Sequence, residues 1–276
     1  MESRFHHSPN EVKQMNTGQL RAHFLVQKLM VPNELKLVYS HYDRVIIGGA
    51  VPTGSSIALT NPDELRAEYF LQRREMGVIN VGGSGSITTD GTTYHLDRLG
   101  ALYIGQGTQS VSFQSADAAN PAVFYILSAP AHKQYPTVAY TKEDALPVQM
   151  GEQSTANKRT IYKYIHAQGI QSCQLVMGLT LLEDGSIWNT MPSHTHTRRM
   201  EAYFYFDVKP EHRVIHLMGE PSETRHLVVG DNEAIISPPW SIHSGCGTAN
   251  YGFIWGMAGE NYDYTDIDPA PVSAMM

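Results

Sequence analysis

The sequence predicts a mainly β protein, and three observations carry that prediction. From Val38 onward the chain runs as short β-prone stretches cut by Gly, Pro, Asn and Asp. Asp90-Gly91 stands between two Thr-rich runs, a strong hairpin signal. Arg159-Thr160-Ile161-Tyr162-Lys163-Tyr164-Ile165-His166 alternates with the period of a strand.

Before those strands, Ser8-Pro9-Asn10-Glu11 has the form of a helix start, with Ser8 as N-cap, Pro9 in the first turn and Glu11 three residues after the cap. Thr17-Gly18 should interrupt that helix, and a second short helix is expected from Gln19 toward Lys28. Val38 to Ile47 with Gly48-Gly49, Gly77 to Gly83, Gly85 to Leu96 and Leu99 to Phe113 then read as strands and turns. Ala129 to Pro136 and Lys142 to Pro147 are polar and carry prolines, which suits a connection between domains. The second part opens with the alternating strand at Arg159. Gln174 to Leu182 follows, closed by the turn Glu183-Asp184-Gly185-Ser186. Tyr203-Phe204-Tyr205-Phe206 is β-prone without alternation, as in a strand buried on both faces. His226 to Val229, Gly230-Asp231-Asn232 and Glu233 to Ile236 echo the layout of the first part, which suggests an internal duplication.

The chain has 276 residues, 42% of them hydrophobic and 17% charged, enough to bury a sizeable core and unlike a disordered chain. Twenty Lys and Arg against 27 Asp and Glu leave a formal charge of −7, which argues against nucleic acid or an anionic membrane as a general partner. Cys173 and Cys246 are too few for a disulfide framework, so a reducing compartment is expected. The amino-terminal segment lacks a secretory apolar core and no twenty-residue apolar span follows, so the expected location is the cytoplasm. His6-His7 reads as solvated near a polar terminus.

Four residues point to chemistry. His194 and His196 lie two apart, so on a strand both imidazoles face one side. Glu201 follows at an odd offset that would send it to the other face, so a turn or bulge at Thr197-Arg198-Arg199-Met200 must return it. His243 comes after an apolar strand and the Pro238-Pro239 turn, where a returning strand can place it beside the others. Among 13 histidines a lone His-x-His pair can arise by chance; the added Glu201 and His243 make a divalent-metal site the better reading. Imidazole and carboxylate suit zinc, iron, manganese or nickel. The matching region of the first part, Gln72-Arg73-Arg74-Glu75, has no such histidines, so one ion per chain is expected.

The spacing His194-x-His196-x4-Glu201, followed by His243 after a proline turn, resembles the two-part signature of the cupin superfamily. Trp188 to His196, Arg198 to Glu201, Tyr203 to Phe206, Glu223 to His226, Trp240 to Gly245 and Phe253 to Met257 look like the 5-keto-4-deoxyuronate isomerase family, as do Tyr39 to His41, Asp43-Arg44, Arg73 to Glu75 and Gly77 to Asn80. That resemblance implies a bicupin: two jelly-roll-type barrels with short N-terminal helices, a degenerate metal-free barrel over 1–135 and a metal-binding barrel over 136–276. It implies zinc on His194, His196, Glu201 and His243, a homohexamer, and a cytoplasmic ketol-isomerase. The implied reaction converts 5-dehydro-4-deoxy-D-glucuronate, derived from pectin or glycosaminoglycan, to 3-deoxy-D-glycero-2,5-hexodiulosonate.

For a sugar-acid substrate the carboxylate calls for a guanidinium, and Arg199 and Arg225 are the candidates, with Arg198 third. Lys163, Tyr203 and Glu260 are candidate acids or bases, each with a plain packing or surface role as its alternative. Trp188, Trp240, Trp255, Met191 and Met200 read as packing residues. Catalytic zinc commonly keeps three protein ligands and an open position, so a fourth would require expanded coordination or exchange of Glu201. Two rival functions share the same residues: an Fe(II) dioxygenase of the same fold, and a non-catalytic sugar-binding module.

Overall fold

The computed structural model describes residues 1–260 and 262–276. The chain is mainly β, as expected. A seven-stranded sheet orders Glu2–Arg4, Leu35–Ser40, Ile46–Ala50, Phe124–Pro130, Arg74–Asn80, Ala101–Ile104 and Val138–Tyr140. A four-stranded sheet, Ile57–Ala58, Val111–Ser115, Gly85–Thr89 and Thr92–Leu96, closes over one of its faces around Met76, Val78, Ile87, Phe113 and Phe124. The second half repeats the plan. Its large sheet orders Val148–Met150, Arg159–Ile165, Val176–Leu182, Gly252–Gly259, Arg199–Phe206, Glu233–Ser237 and Leu25–Val26, and its small one Trp188–Asn189, Ser244–Gly247, Val214–Glu220 and Glu223–Val229.

The two large sheets meet back to back. Tyr125 of one stacks on Phe204 of the other at 4.7 Å, inside a core shared by Ile47, Ile79, Met177 and Ile254. Glycine permits the close approach: a Cβ on Gly77 would lie 2.7 Å from Met177 Sδ, and one on Gly256 would lie 2.3 Å from Leu127 Cδ2.

Several sequence expectations hold in detail. Ser8 and Glu11 form a capping box on the helix Pro9–Val12. Thr89 pairs with Thr92 across Asp90 and Gly91, both at positive φ, the hairpin geometry expected of Asp-Gly. Every residue of Arg199–Phe206 is buried.

Other boundaries differ. The second helix runs Thr17–Phe24 rather than Gln19 to Lys28, because Asn16 and Gln19 form their own capping box. It stops where Leu25 and Val26 pair with Ile235 and Ala234 in the second-half sheet. Val138–Tyr140, beyond the expected division at 135/136, pairs with Ala101 to Tyr103 of the first-half sheet. The halves therefore exchange short edge strands. None of the described helices is long and apolar enough to cross a membrane.

Candidate metal centre

The strand Ser193–Thr195 carries His194, and the chain turns at Thr197 and Arg198 before re-entering the sheet at Arg199. This turn resets the alternation and brings Glu201 round to the histidines. His243 immediately precedes Ser244–Gly247, after the turn in which Ser241 N–H donates to the Pro238 carbonyl.

The four side chains converge. His194 Nε2 lies 3.2 Å from His196 Nε2 and 3.1 Å from His243 Nε2, while Glu201 Oε2 is 3.1 Å from His196 Nε2 and 2.9 Å from His243 Nε2. All four ligand atoms lie within 4.8 Å of one another. His196, Glu201 and His243 are buried and His194 half-buried. Burial, and then the neighbouring His243, pull His194 down to about 3, which keeps the ring neutral. Burial alone would raise Glu201, yet His243 and His196 hold its carboxyl well below the usual range.

The donor set fits a divalent ion. His243 Nδ1 faces the Ser241 carbonyl at 3.4 Å and His196 Nδ1 faces Asp266 Oδ1 at 3.5 Å. Protons on those Nδ1 atoms leave the Nε2 lone pairs pointing at each other, an arrangement that a shared cation relieves. Three imidazoles and a carboxylate match zinc, iron, manganese and nickel alike.

A cavity of about 440 Å³ opens onto His194, His196 and Glu201. Its walls include Arg159, Lys163, Thr190, Met191, Tyr203, Phe253, Trp255 and Tyr264. Tyr203 Oη is 2.8 Å from Thr190 Oγ1, and burial together with the Glu201 charge pushes its hydroxyl well above the ordinary value. Lys163 Nζ lies 4.9 Å from the centre of the Tyr264 ring.

Lys163 and Tyr203 thus face the cavity, whereas Glu260 is exposed and outside it. Both arginines expected to bind a carboxylate are used elsewhere. Arg199 is fully buried and paired with Asp266 at 2.7 Å, because the turn that returns Glu201 also turns its neighbour's guanidinium into the protein. Arg225 donates to the carbonyls of Val12, Lys13 and Met15, at and just past the end of the first helix. Arg198 is exposed and outside the cavity wall.

The cation that sequence reasoning missed is Arg159. It stands four residues before Lys163 on one strand, hence on the same face, and that alternation was the available signal. Asp266 had no such signal: it lies 67 residues from Arg199.

A β scaffold of this topology carries an internal three-histidine, one-carboxylate cluster that could hold a metal ion, and the particular family follows from sequence. The chain belongs to the KduI/IolB family, whose model matches residues 24–272. It is 55% identical, over 97% of both chains, to a 4-deoxy-L-threo-5-hexosulose-uronate ketol-isomerase of Halalkalibacterium halodurans. It is 57% identical, again over 97% of both, to the protein of that name from Lachnoclostridium phytofermentans. Among solved structures, an IolB-like protein from Salmonella typhimurium superposes with a TM-score of 0.63 at 15% identity, covering 80% of this chain and 85% of that one. Oxalate decarboxylase of Bacillus subtilis, a protein with Mn(II) centres, gives 0.55 at 9% identity, covering 81% and 71%. At such identities these likenesses speak to fold alone.

Proposed function

We propose that this protein is a metal-dependent ketol-isomerase converting 5-dehydro-4-deoxy-D-glucuronate to 3-deoxy-D-glycero-2,5-hexodiulosonate, downstream of pectin or glycosaminoglycan lyases. The observation that carries this reading is full-length identity above 50% to named ketol-isomerases, in a chain whose four ligand-type side chains converge on a cavity.

His194, His196, Glu201 and His243 would hold the ion, zinc by family resemblance. When bound, such an ion supplies Lewis-acid stabilisation to negative charge building on an oxygen beside the reacting carbon. The chain's own residues do the rest. Arg159 and Lys163, the cations of the cavity wall, take the substrate carboxylate and fix which end of the sugar acid faces the histidines. Tyr203 keeps its proton at Oη and donates it in a hydrogen bond to a substrate oxygen. Phe253, Trp255 and Met257 close the wall with apolar surface and limit the water that reaches the reacting carbons.

We read the two sheet pairs as two cupin-type jelly-roll barrels, the first without metal, assembled in a cytoplasmic homohexamer. The edge strand Val148–Met150 supports association, since it exposes Val148 and Met150 to solvent.

The test is metal analysis coupled to an isomerase assay on lyase-derived deoxyuronate. Metal-replete protein should form the ketose product. Absence of product would overturn the assignment, and dioxygen consumption in its place would move the chemistry to an oxygenase.

A further inference from the structure

Away from the metal centre, a second cavity of about 580 Å³ opens in the first half, beside the end of the large sheet where Arg74 pairs with Pro130. Arg44, Arg73 and Arg74 all line it. Its one carboxylate, Glu64, is taken by the Met1 ammonium at 3.0 Å. Among the described residues the arginine ion pairs lie elsewhere, at Arg4, Arg98 and Arg199.

The three guanidinium groups are held by neutral partners or by none. Arg73 Nη2 donates to the carbonyls of Leu65 and Arg66, both at 2.8 Å. Arg74, only 7% exposed, donates from Nε to Ser128 Oγ at 3.0 Å and from Nη2 to the carbonyls of Arg44 and Ser128 at 2.7 and 2.9 Å. The Arg44 side chain makes no hydrogen bond or ion pair among the described residues, and it is exposed at the rim. Like charges gathered round one concavity raise its potential and favour an anion there.

The backbone is bent to produce this arrangement. Asp43 and Arg44 stand consecutively at φ 48 and φ 54, a left-handed conformation that residues other than glycine adopt at a cost. The turn is tied down from the other half, since Asp43 Oδ2 accepts the Met200 N–H at 2.6 Å. The carboxylate next to Arg44 in sequence is thereby engaged with backbone. One wall is aromatic: His41 stacks on Phe5 at 4.5 Å and meets Tyr39 edge-on at 5.2 Å.

We propose that this cavity binds a small organic carboxylate of sugar-acid size, with Arg44 and Arg73 forking the carboxylate and Tyr39, His41 and Phe70 packing its carbon skeleton. The site is separate from the metal centre and does not depend on which sugar acid is turned over there. Inorganic phosphate shares the charge but offers nothing to the aromatic wall.

The experiment is calorimetric titration of the metal-replete, full-length protein with D-galacturonate, D-galactose and inorganic phosphate. Two D-galacturonate binding events per chain are expected. Arg44→Ala should weaken one at least tenfold with unchanged melting temperature and isomerase turnover, and Arg73→Gln should weaken the same event. His243→Ala should remove only the other event; were the metal-centre reading to fail, the Arg44-sensitive event would still be seen. D-galactose should not bind in the first half. A single event indifferent to Arg44→Ala overturns the proposal. So does phosphate binding there as tightly as D-galacturonate, which would mark a bare oxyanion site. A change in assembly size without a change in D-galacturonate binding also overturns it, by making the arginines a subunit contact.

Discussion

Corresponding strands in the two halves bury opposite kinds of residue. Counted from the paired ends Arg74/Pro130 and Arg199/Gly259, Met76 and Val78 occupy in the first half the positions of Glu201 and Tyr203 in the second. Met76 and Val78 pack with Ile87, Phe113 and Ile126 into a filled apolar interior. Glu201 and Tyr203 instead share theirs with three histidines and an open cavity. One strand layout therefore serves as a packed core or as a reaction vessel, and side-chain chemistry at a few inward positions decides which. Each half also buries a glutamate on this strand, to different ends. Glu75 faces the seam and accepts the N–H groups of Cys173, Gln174 and Leu175 at 2.7, 2.9 and 2.9 Å, plus the Tyr103 hydroxyl at 2.8 Å.

If the comparison is right, the ligands matter to chemistry and Glu75 to assembly of the halves. His243→Ala should lose bound metal and lower turnover by on the order of a thousandfold while the protein remains folded. Metal content and turnover measured on the same preparation check this; full activity in the variant would break the contrast. Glu75→Ala should show the reverse pattern. Removing the carboxylate strands three N–H donors, that of Leu175 buried and those of Cys173 and Gln174 partly so, at a cost of about 3–5 kcal/mol, while metal content per folded chain stays the same. Urea unfolding with metal analysis separates the two, and a loss below about 1 kcal/mol would remove Glu75 from its place at the seam.

What the sequence disclosed and what it hid follow from the range of the interactions. The Asp90-Gly91 hairpin, the Ser8 cap and the doubly buried Tyr203 to Phe206 strand are local patterns and were legible. The four ligand-type residues were legible because strand alternation and turns constrain where each imidazole can point. The destinations of the arginines were not. A guanidinium beside a metal motif reads as a substrate binder until a distant partner claims it, Asp266 for Arg199 and the first helix's carbonyls for Arg225. The edge exchange by Leu25–Val26 was hidden for the same reason, because its partners Ala234 and Ile235 lie more than two hundred residues away.

Acid provides a subtler contrast, because the second-half interior also buries His216, with its Nδ1 2.7 Å from Tyr205 Oη. Burial first, and then His243, pull its pKa down to about 3 from the ordinary value of 6.5. Below about pH 6.5 the unfolded chain takes up a proton that the folded chain refuses until about pH 3, so stability must fall as pH drops through that window. The expected slope is roughly 1.4 kcal/mol per pH unit from this residue. Urea unfolding of chelator-stripped wild type and His216→Gln across that window checks it. The variant, which cannot titrate but keeps an amide for Tyr205, should be less acid-sensitive by about that slope; an unchanged slope would remove His216 as a source of the acid sensitivity.

The smallest expected effect concerns the strands beside the cavities. By sheet order, Arg159–Ile165 in the second half corresponds to Leu35–Ser40 in the first. The former turns Arg159, Ile161 and Lys163 to the metal cavity, whereas Leu35, Leu37 and Tyr39 of the latter pack against the apolar cluster. Arg159→Leu makes the second strand resemble the first at one position. It leaves the ligands in place but removes a cation from the wall. KM for the sugar acid should rise about tenfold, equivalent to about 1.4 kcal/mol, with kcat changed much less and metal content not at all. Arg225→Ala is the control, since its guanidinium holds helix carbonyls and not substrate; it should leave KM alone and lower stability by about 1 kcal/mol or more. Equal effects of the two variants on KM would show that the cations of the cavity wall do not select the carboxylate. The difference between the halves would then reside in the metal ligands alone.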